Sequence, residues 1–300
     1  MRWPWDRRSL PVYSVLAATL VVGVVLLLAT GIRFGRSYWI YYLSWPFVAV
    51  VGGLMFRRLG HVRSASFLEL VGLIYGQGLL SFLIIVPEIP LSRNFADSAL
   101  ARIDRVLAFD WVAFEQATRP YSSLMQIAYR SFEWQPGVVI LALILACHDR
   151  RAWEFVTAAA VAAIITAILF PLAPAEGPFQ HYNITPSNLF EEQWTNEIRP
   201  LFRQIKQAGL RDLGGKIITG LVSFPSYHAA AGLLFTWAAW PLRRLRWPIA
   251  LLNLLMLLSA LTIGCHYLID LIAGLIVGAI SVWVAVAALE LAAPADMGSD

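Results

Sequence analysis

Charged residues are scarce in this chain of 300 residues. Only 14% of the residues are charged, 59% are hydrophobic, and the mean hydropathy is +0.65. A soluble domain carries about a quarter charged residues, so the composition excludes an ordinary soluble protein and predicts an integral membrane protein. The net charge of +4 is small. On a membrane protein it indicates basic cytoplasmic loops rather than nucleic-acid binding.

Cysteines and metal-binding motifs are scarce as well. The chain has two cysteines and lacks both the His-Glu-x-x-His motif and cysteine pairs, so we expect neither a metal site nor a cofactor. Cys147 and Cys265 fall at opposite predicted membrane faces, and we expect no disulfide between them. No internal repeat is visible, which counts against a transporter.

Long hydrophobic runs predict an all-α membrane bundle of about eight spanning helices, because a bilayer is crossed by about 20 apolar residues. The predicted spans are Val12–Thr30, Tyr38–Phe56, Phe67–Val86, Tyr121–Cys147, Trp153–Leu172, Ser226–Trp240, Trp247–Ile263 and His266–Glu290. We expect residues 1–66 to form a two-helix extension, residues 67–292 a six-helix core, and residues 293–300 a disordered tail.

Two polar stretches predict helices that lie at the membrane surface. Ala99–Thr118 and Pro200–Leu213 both combine charged residues with apolar residues at helical spacing. Within the fourth predicted span, Arg130 and Glu133 are one turn apart. They either form an ion pair or mark a helix break near Pro136.

Two short segments about forty residues apart carry the polar chemistry. The first is Phe224-Pro225-Ser226-Tyr227-His228, in which Ser226 is the predicted N-cap of a helix that has His228 in its first turn. Unpaired backbone amides and the helix dipole make such a helix start attractive to anions.

The second segment is Gly264-Cys265-His266-Tyr267-Leu268-Ile269-Asp270. Asp270 follows His266 by four residues, so on a helix the two side chains share a face. The carboxylate can then hold the proton on one imidazole nitrogen and leave the other nitrogen basic. Two histidines of this kind suit phosphoryl transfer, in which one attacks phosphorus and the other handles the proton of the leaving group.

Together these motifs resemble those of the type 2 phosphatidic acid phosphatase superfamily, and their details are similar to its branch of inositol phosphorylceramide and sphingomyelin synthases. The resemblance extends roughly from residue 67 to residue 290. It implies a membrane enzyme that cleaves a lipid phosphoester through a phosphohistidine. By position His266 is the nucleophile, His228 the general acid and base, and Asp270 the residue that orients His266, with Gly274 closing the motif. Water or a lipid hydroxyl would accept the phosphoryl group or phospho-headgroup.

The chain departs from the phosphatases of this superfamily in its basic residues. Ala260 stands where they carry arginine, and Phe170–Pro178 contains no base where they carry lysine and Arg-Pro. Other groups must therefore bind the phosphate. The predicted substrate-binding residues are Ser226, Tyr267, Arg119 and Arg130. Further basic candidates in the outer segments are Arg199, Arg203, Lys206, Arg211 and Lys216.

Basic residues also predict how the chain is oriented. Arg57–Arg63, His148–Arg151, Arg243–Arg246 and the N-terminus all fall on one side when the spans alternate. The positive-inside rule makes that side cytoplasmic. Both histidine motifs then lie on the extracytoplasmic face of a bacterial inner membrane or an equivalent membrane.

Two other classes of function remain open at this point. In a transporter or channel, His228, His266 and Asp270 would form a proton relay. A catalytically inactive scaffold would retain the fold without the chemistry, and the intact set of three residues argues against it.

Overall fold

The structure, a computed structural model, describes residues 7–214 and 220–292. The described residues are 79% helical and contain no β-strand. This confirms the predicted all-helical class. The predicted tail 293–300 and the candidate Lys216 lie outside the described residues.

Fourteen α-helices follow one another along the described parts of the chain. They are α1 Leu10–Thr30, α2 Ser44–Arg58, α3 Val62–Glu88, α4 Asp97–Val106, α5 Trp111–Thr118, α6 Ser122–Arg130, α7 Gln135–Leu145, α8 Asp149–Leu169, α9 Pro178–His181, α10 Leu189–Gln193, α11 Arg199–Lys206, α12 Tyr227–Ala239, α13 Arg246–Thr262 and α14 Leu268–Ala292. Short π-helical segments, Tyr38–Leu43 and Trp194–Ile198, precede α2 and α11.

Five helical segments in the described residues are long and apolar enough to cross a membrane. They are Arg7–Thr30, Tyr38–Arg58, Val62–Leu91, Asp149–Leu172 and Leu268–Ala292. These segments overlap the first, second, third, fifth and eighth predicted spans. The sixth and seventh correspond to α12 and α13, which have only 13 and 17 residues. The count of eight spans therefore stays a prediction.

The fourth predicted span, Tyr121–Cys147, is not one continuous helix. Helix α6 ends at Arg130, a 3₁₀ turn occupies Ser131–Glu133, and α7 begins at Gln135. Pro136 is the second residue of α7, where its missing N–H costs no helical hydrogen bond. Both alternatives for this segment are observed, because the helix breaks here and Arg130 also pairs with Glu133.

The predicted surface helix Ala99–Thr118 is likewise divided, into α4 and α5. Ala108 between them has φ of 58°, a left-handed conformation that ends a helix. The Oδ1 atom of Asp110 accepts a hydrogen bond of 3.0 Å from the N–H of Ala113 and so caps α5. The periodicity of apolar residues continues across this break, which is why the sequence predicted a single helix.

Helix α8 lies at the centre of the bundle, in contact with α3, α12 and α14. Its buried residues from 158 to 167 are mainly alanines, which let neighbouring backbones approach closely. Helices α12 and α14 approach closest at Gly274, where an added Cβ would lie 2.1 Å from the carbonyl oxygen of Ser226. The glycine therefore lets the helix that carries Asp270 lie directly against the start of the helix that carries His228.

The N-terminal helices are attached to this bundle through buried polar groups. Glu69 of α3 is only 2% exposed. It accepts hydrogen bonds from the hydroxyl of Tyr13 in α1 (3.0 Å) and from Nη2 of Arg57 in α2 (2.5 Å). One buried carboxylate thus joins three helices.

Basic residues gather at one end of the bundle, here called the basic end. Arg150 at the start of α8 pairs with Glu290 near the end of α14, at 3.4 Å. The neighbouring Arg151 lies over the ring of Trp237 near the end of α12, at 4.0 Å. Since α12 and α14 end here, both begin at the opposite end, and the two histidine motifs stand at those beginnings.

We predict that Gly274→Ala destabilises the protein. Alanine is normally favoured over glycine in a helix by roughly 0.5–1 kcal/mol, but here its methyl group would overlap the Ser226 carbonyl. Overpacking of this kind costs about 1–3 kcal/mol. The thermal unfolding midpoint in detergent should fall for Gly274→Ala. It should not fall for the control Gly137→Ala, whose Cβ would meet nothing within 4 Å. Equal midpoints for the two variants would contradict the packing argument.

Candidate active site

His266 lies in a buried turn just before α14, not within the helix as predicted, because α14 begins at Leu268. Its Nδ1 atom is 2.9 Å from the carbonyl oxygen of Ser223. A carbonyl oxygen can only accept a hydrogen bond, so Nδ1 carries the proton and Nε2 holds the lone pair. The hydroxyl of Ser226 lies 3.3 Å from Nε2. The ring is therefore fixed in the tautomer that presents a basic Nε2.

Asp270 supports this arrangement largely through Ser223. Its Oδ2 atom accepts hydrogen bonds from the Ser223 hydroxyl (2.8 Å) and from the N–H of Tyr267 (2.9 Å). The same oxygen is 3.5 Å from Nδ1 of His266. The predicted pairing of Asp270 with His266 is thus present, but Ser223 provides the shorter bond to the ring. Sequence reasoning missed Ser223, whose only signal is a polar residue directly before the first motif.

His228 is the second residue of α12. Ser226 is the N-cap, as predicted, and its hydroxyl accepts from the N–H of Ala229 at 3.3 Å. The imidazole of His228 stacks on Tyr129, with ring centroids 4.3 Å apart, and packs against Phe132 at 4.5 Å. The ring centroids of His228 and His266 are 6.0 Å apart. The fold therefore brings the two predicted histidines together.

A cavity of about 970 Å³ opens beside the two imidazoles, and both His228 and His266 line it. Within residues 7–214 and 220–292, none of the side chains that line this cavity belongs to lysine or arginine. Glu133 and Glu197 do line it. Among the described residues, the cavity lining therefore lacks the arginine and lysine side chains that usually contact phosphate in a binding site.

Helix α4 holds the start of α14 in place. Asp104 is only 1% exposed, and its two carboxylate oxygens accept hydrogen bonds from the N–H groups of Leu268 and Ile269, each at 2.9 Å. Burial raises the pKa of Asp104, and the two backbone donors act against that rise. A carboxylate at this position caps α14 from a different helix. In the sequence, Asp104 looks like an ordinary polar residue of an amphipathic helix, and its pattern does not predict this contact.

A second acid on the same face of α4 holds the turn that contains His266. Asp97 accepts hydrogen bonds from the N–H of Gly177 (2.8 Å) and from the hydroxyl of Tyr267 (2.9 Å). Trp111 of α5 adds a hydrogen bond from Nε1 to the carbonyl oxygen of His266, at 3.2 Å. Tyr267 is fully buried and does not line the cavity, so the structure gives it a structural contact where the sequence predicted substrate binding.

The two arginines predicted to bind substrate lie elsewhere. Arg130 pairs with Glu133 at 3.4 Å, and both side chains are more than half exposed. Arg119 pairs with Glu115 at 2.7 Å and donates to the carbonyl oxygen of Thr185. Neither arginine lines the cavity. Tyr129, the residue before Arg130, lines the cavity instead and stacks on His228.

Arg199 is the buried cation of this region. It is 2% exposed, donates from Nη1 to the carbonyl oxygen of Ala175, and has an Nη2 without a partner in the described residues. Its guanidinium lies 4.4 Å from the ring of Trp194, which lines the cavity. Burial lowers the pKa of Arg199, whereas Asp97 and Glu176 act to raise it. Arg199 is thus a charged group just behind one wall of the cavity.

The remaining basic candidates that the structure describes have structural partners. Arg203 pairs with Glu176, Lys206 donates to the carbonyl oxygens of Ser92 and Arg93, and Arg211 donates to backbone carbonyls of its own segment.

Across the described residues, no group of three or more His, Cys, Asp or Glu side chains could hold a metal ion.

These observations define a class of protein: a helical membrane protein with two neighbouring histidines beside a cavity at one end of its bundle. The family model described as PAP2 superfamily matches residues 98–284, and the chain belongs to that superfamily. Membership supports phosphatase-type activity on lipids. No curated protein and no solved structure matches the chain.

We predict that Asp104→Asn lowers the stability of the protein. An amide offers one acceptor oxygen, so either Leu268 or Ile269 would lose its partner, at a cost of about 1–3 kcal/mol for a buried donor. The matched control is Asp110→Asn, because asparagine caps a helix about as well as aspartate. Thermal unfolding in detergent should show a lower midpoint for Asp104→Asn alone. Equal midpoints would mean that Asp104 does not hold α14.

Proposed function

We propose that this protein cleaves a phosphoester of a membrane lipid, with His266 as the nucleophile and His228 as the general acid and base. One observation carries the proposal: His228 and His266, whose Nε2 is unprotonated, line the same cavity, with 6.0 Å between the ring centroids. Reacting atoms must approach to about 3–3.5 Å. A phosphoryl group between the two rings satisfies this requirement on both sides.

In the first step, Nε2 of His266 attacks phosphorus and forms an N–P bond, while the bond from phosphorus to the leaving oxygen breaks. Protonated His228 gives its proton to that oxygen. The proton on Nδ1 stays with His266, held by the Ser223 carbonyl. The Asp270 carboxylate, 3.5 Å from Nδ1, stabilises the positive charge that develops on the ring.

In the second step, neutral His228 takes a proton from water or from a lipid hydroxyl. The resulting oxygen attacks phosphorus, the N–P bond breaks, and His266 returns to its starting state. Water gives hydrolysis and a lipid hydroxyl gives transfer. Ala260 and the segment 170–178 lack the bases of the phosphatases, which favours the branch similar to inositol phosphorylceramide and sphingomyelin synthases.

The negative charge of the phosphate needs a positive group nearby, and we assign that role to Arg199. No arginine or lysine in the described residues lines the cavity, whereas Arg199 is buried behind Trp194 with a free Nη2. In a buried site a charge acts over several ångströms, because little water screens it. The first N–H groups of α12, which lack acceptors within the helix, add to the attraction at His228.

We further propose that the site faces the extracytoplasmic side of a bacterial inner membrane or an equivalent membrane. The basic end of the bundle carries Arg150 and Arg151, and positive residues favour the cytoplasmic side. The histidine motifs lie at the other end. Lipids in that leaflet would supply the substrate and, in a transfer reaction, the hydroxyl acceptor.

We predict that the protein forms a phosphohistidine. Purified protein should be incubated with phosphatidic acid and with phospholipids of different headgroups, all carrying ³²P, and quenched in base. His266→Ala should give no labelled protein, since it removes the attacking nitrogen. His228→Ala should slow turnover, because general acid–base catalysis contributes about 10²–10⁴-fold.

The matched control is His148→Ala, which changes a histidine at the start of α8 in the basic end and should leave both labelling and turnover intact. Released inorganic phosphate would indicate hydrolysis, and a new phosphorylated lipid would indicate transfer. Phosphoester conversion that survives both His266→Ala and His228→Ala would refute the assignment, as would conversion of none of these lipids by the unaltered protein.

We predict that Arg199→Gln reduces kcat/KM by about tenfold, since losing a buried charge that acts on the phosphate from behind Trp194 weakens the attraction by on the order of 1 kcal/mol. Arg199→Lys should restore part of this loss. Arg203→Gln removes an exposed cation that pairs with Glu176, and it should have little effect. Steady-state kinetics on the lipid that labels His266, together with unfolding midpoints, would separate charge from folding. Full activity in a well-folded Arg199→Gln protein would exclude the role.

A further inference from the structure

The cavity beside the histidines is long rather than round. Along α12 it is lined from His228 to Phe235, and seven helical residues cover about 10 Å. Along α3 it is lined from Ile85 to Ile74, and eleven residues cover about 17 Å. It therefore runs from the histidines into the apolar middle of the bundle, parallel to the spanning helices.

The chemistry of the lining changes along this length. Polar side chains enter from the segment between α8 and α12, namely Gln193, Asn196, Glu197 and Gln204. Small or apolar side chains line the part between α3, α8 and α12, among them Ile74, Ala159, Ala163, Ala231 and Leu234. A ligand with a polar head and a hydrocarbon chain matches such a cavity.

We propose that the part between α3, α8 and α12 holds a hydrocarbon chain of the lipid, and that Gly78 of α3 sets the longest chain that fits. This inference rests on the proposed function, because it places the phosphoester of the same lipid at His266. The occupant is an alkyl chain and not a second polar ligand, since this part of the lining offers almost no charged group in the described residues.

The position of Gly78 suits a residue that limits the length of the bound hydrocarbon chain. It lines the cavity, and a Cβ built on it would meet nothing within 4 Å. An added Cβ therefore does not overlap the protein, and we expect a larger side chain to extend into the cavity. Gly78 lies seven residues from Ile85, which corresponds to about 10 Å of helix away from the histidine end. It thus stands part-way along the cavity rather than beside the phosphate, so a bulky side chain there would shorten the space that a chain can occupy.

The cavity wall near Gly78 is formed by residues that lie outside the part of the chain that matches the superfamily. Trp45 of α2 and Tyr75 of α3 both line the cavity, with ring centroids 5.2 Å apart. Like Gly78, they precede the matched residues 98–284. Selection by chain length would therefore be a property of this protein and not of the superfamily's shared core.

The experiment compares two probes, phosphatidic acid with two octanoyl chains and phosphatidic acid with two palmitoyl chains, in detergent micelles. Binding is measured on proteins that also carry His266→Ala, so that no probe is consumed, and turnover is measured with His266 present. The variants are Gly78→Leu and Gly78→Phe. The matched control is Gly137→Phe, since Gly137 does not line the cavity and its Cβ would also meet nothing within 4 Å.

Each buried methylene contributes about fourfold to affinity. The ratio of palmitoyl to octanoyl binding should therefore fall at least tenfold in Gly78→Phe and by less in Gly78→Leu, while Gly137→Phe keeps the ratio of the unaltered protein. Unchanged ratios in folded Gly78 variants would overturn the proposal, and so would the binding of neither probe. A shifted binding ratio without any turnover would support the chain pocket while refuting the chemistry assigned to His266.

Discussion

The hydrogen bond from Nδ1 of His266 to the carbonyl oxygen of Ser223 decides what this site can do. At 2.9 Å it keeps the proton on Nδ1 and leaves Nε2 free to attack. The bond also joins the two motifs, because Ser223 precedes the first motif and His266 belongs to the second. Two further hydrogen bonds also connect the two motifs. The Ser223 hydroxyl donates to the Asp270 carboxylate at 2.8 Å, and the backbone N–H of Ser226 donates to the backbone carbonyl oxygen of Asp270 at 2.9 Å.

Much of the surrounding structure serves to keep these two motifs in register. Gly274 allows α14 to lie against Ser226, and Asp104 caps α14 from the surface helix α4. Trp111 holds the backbone of His266 through a hydrogen bond of 3.2 Å. The surface helices are therefore part of the framework that holds the two histidine motifs together. This explains why two aspartates on α4 are buried although the helix is short and amphipathic.

The sequence was sufficient for the helical membrane class, the superfamily, the Ser226 cap and the meeting of His228 with His266, since each depends on local pattern or spacing. It was insufficient where a contact depends on tertiary packing. Arg130 pairs with Glu133 at the surface beside the helix break, a contact that the apolar periodicity does not predict. Arg199 is buried only because Trp194 covers it, and no spacing in the sequence predicts that contact.

The most direct test of this account is an experimental structure of the protein with orthovanadate, which imitates phosphorus bonded to five oxygens and nitrogens. We predict that vanadium bonds to Nε2 of His266, with His228 within hydrogen-bonding distance of a vanadate oxygen and Nδ1 of His266 still donating to Ser223. Vanadate bonded to another residue, or to His266 through Nδ1, would contradict the account.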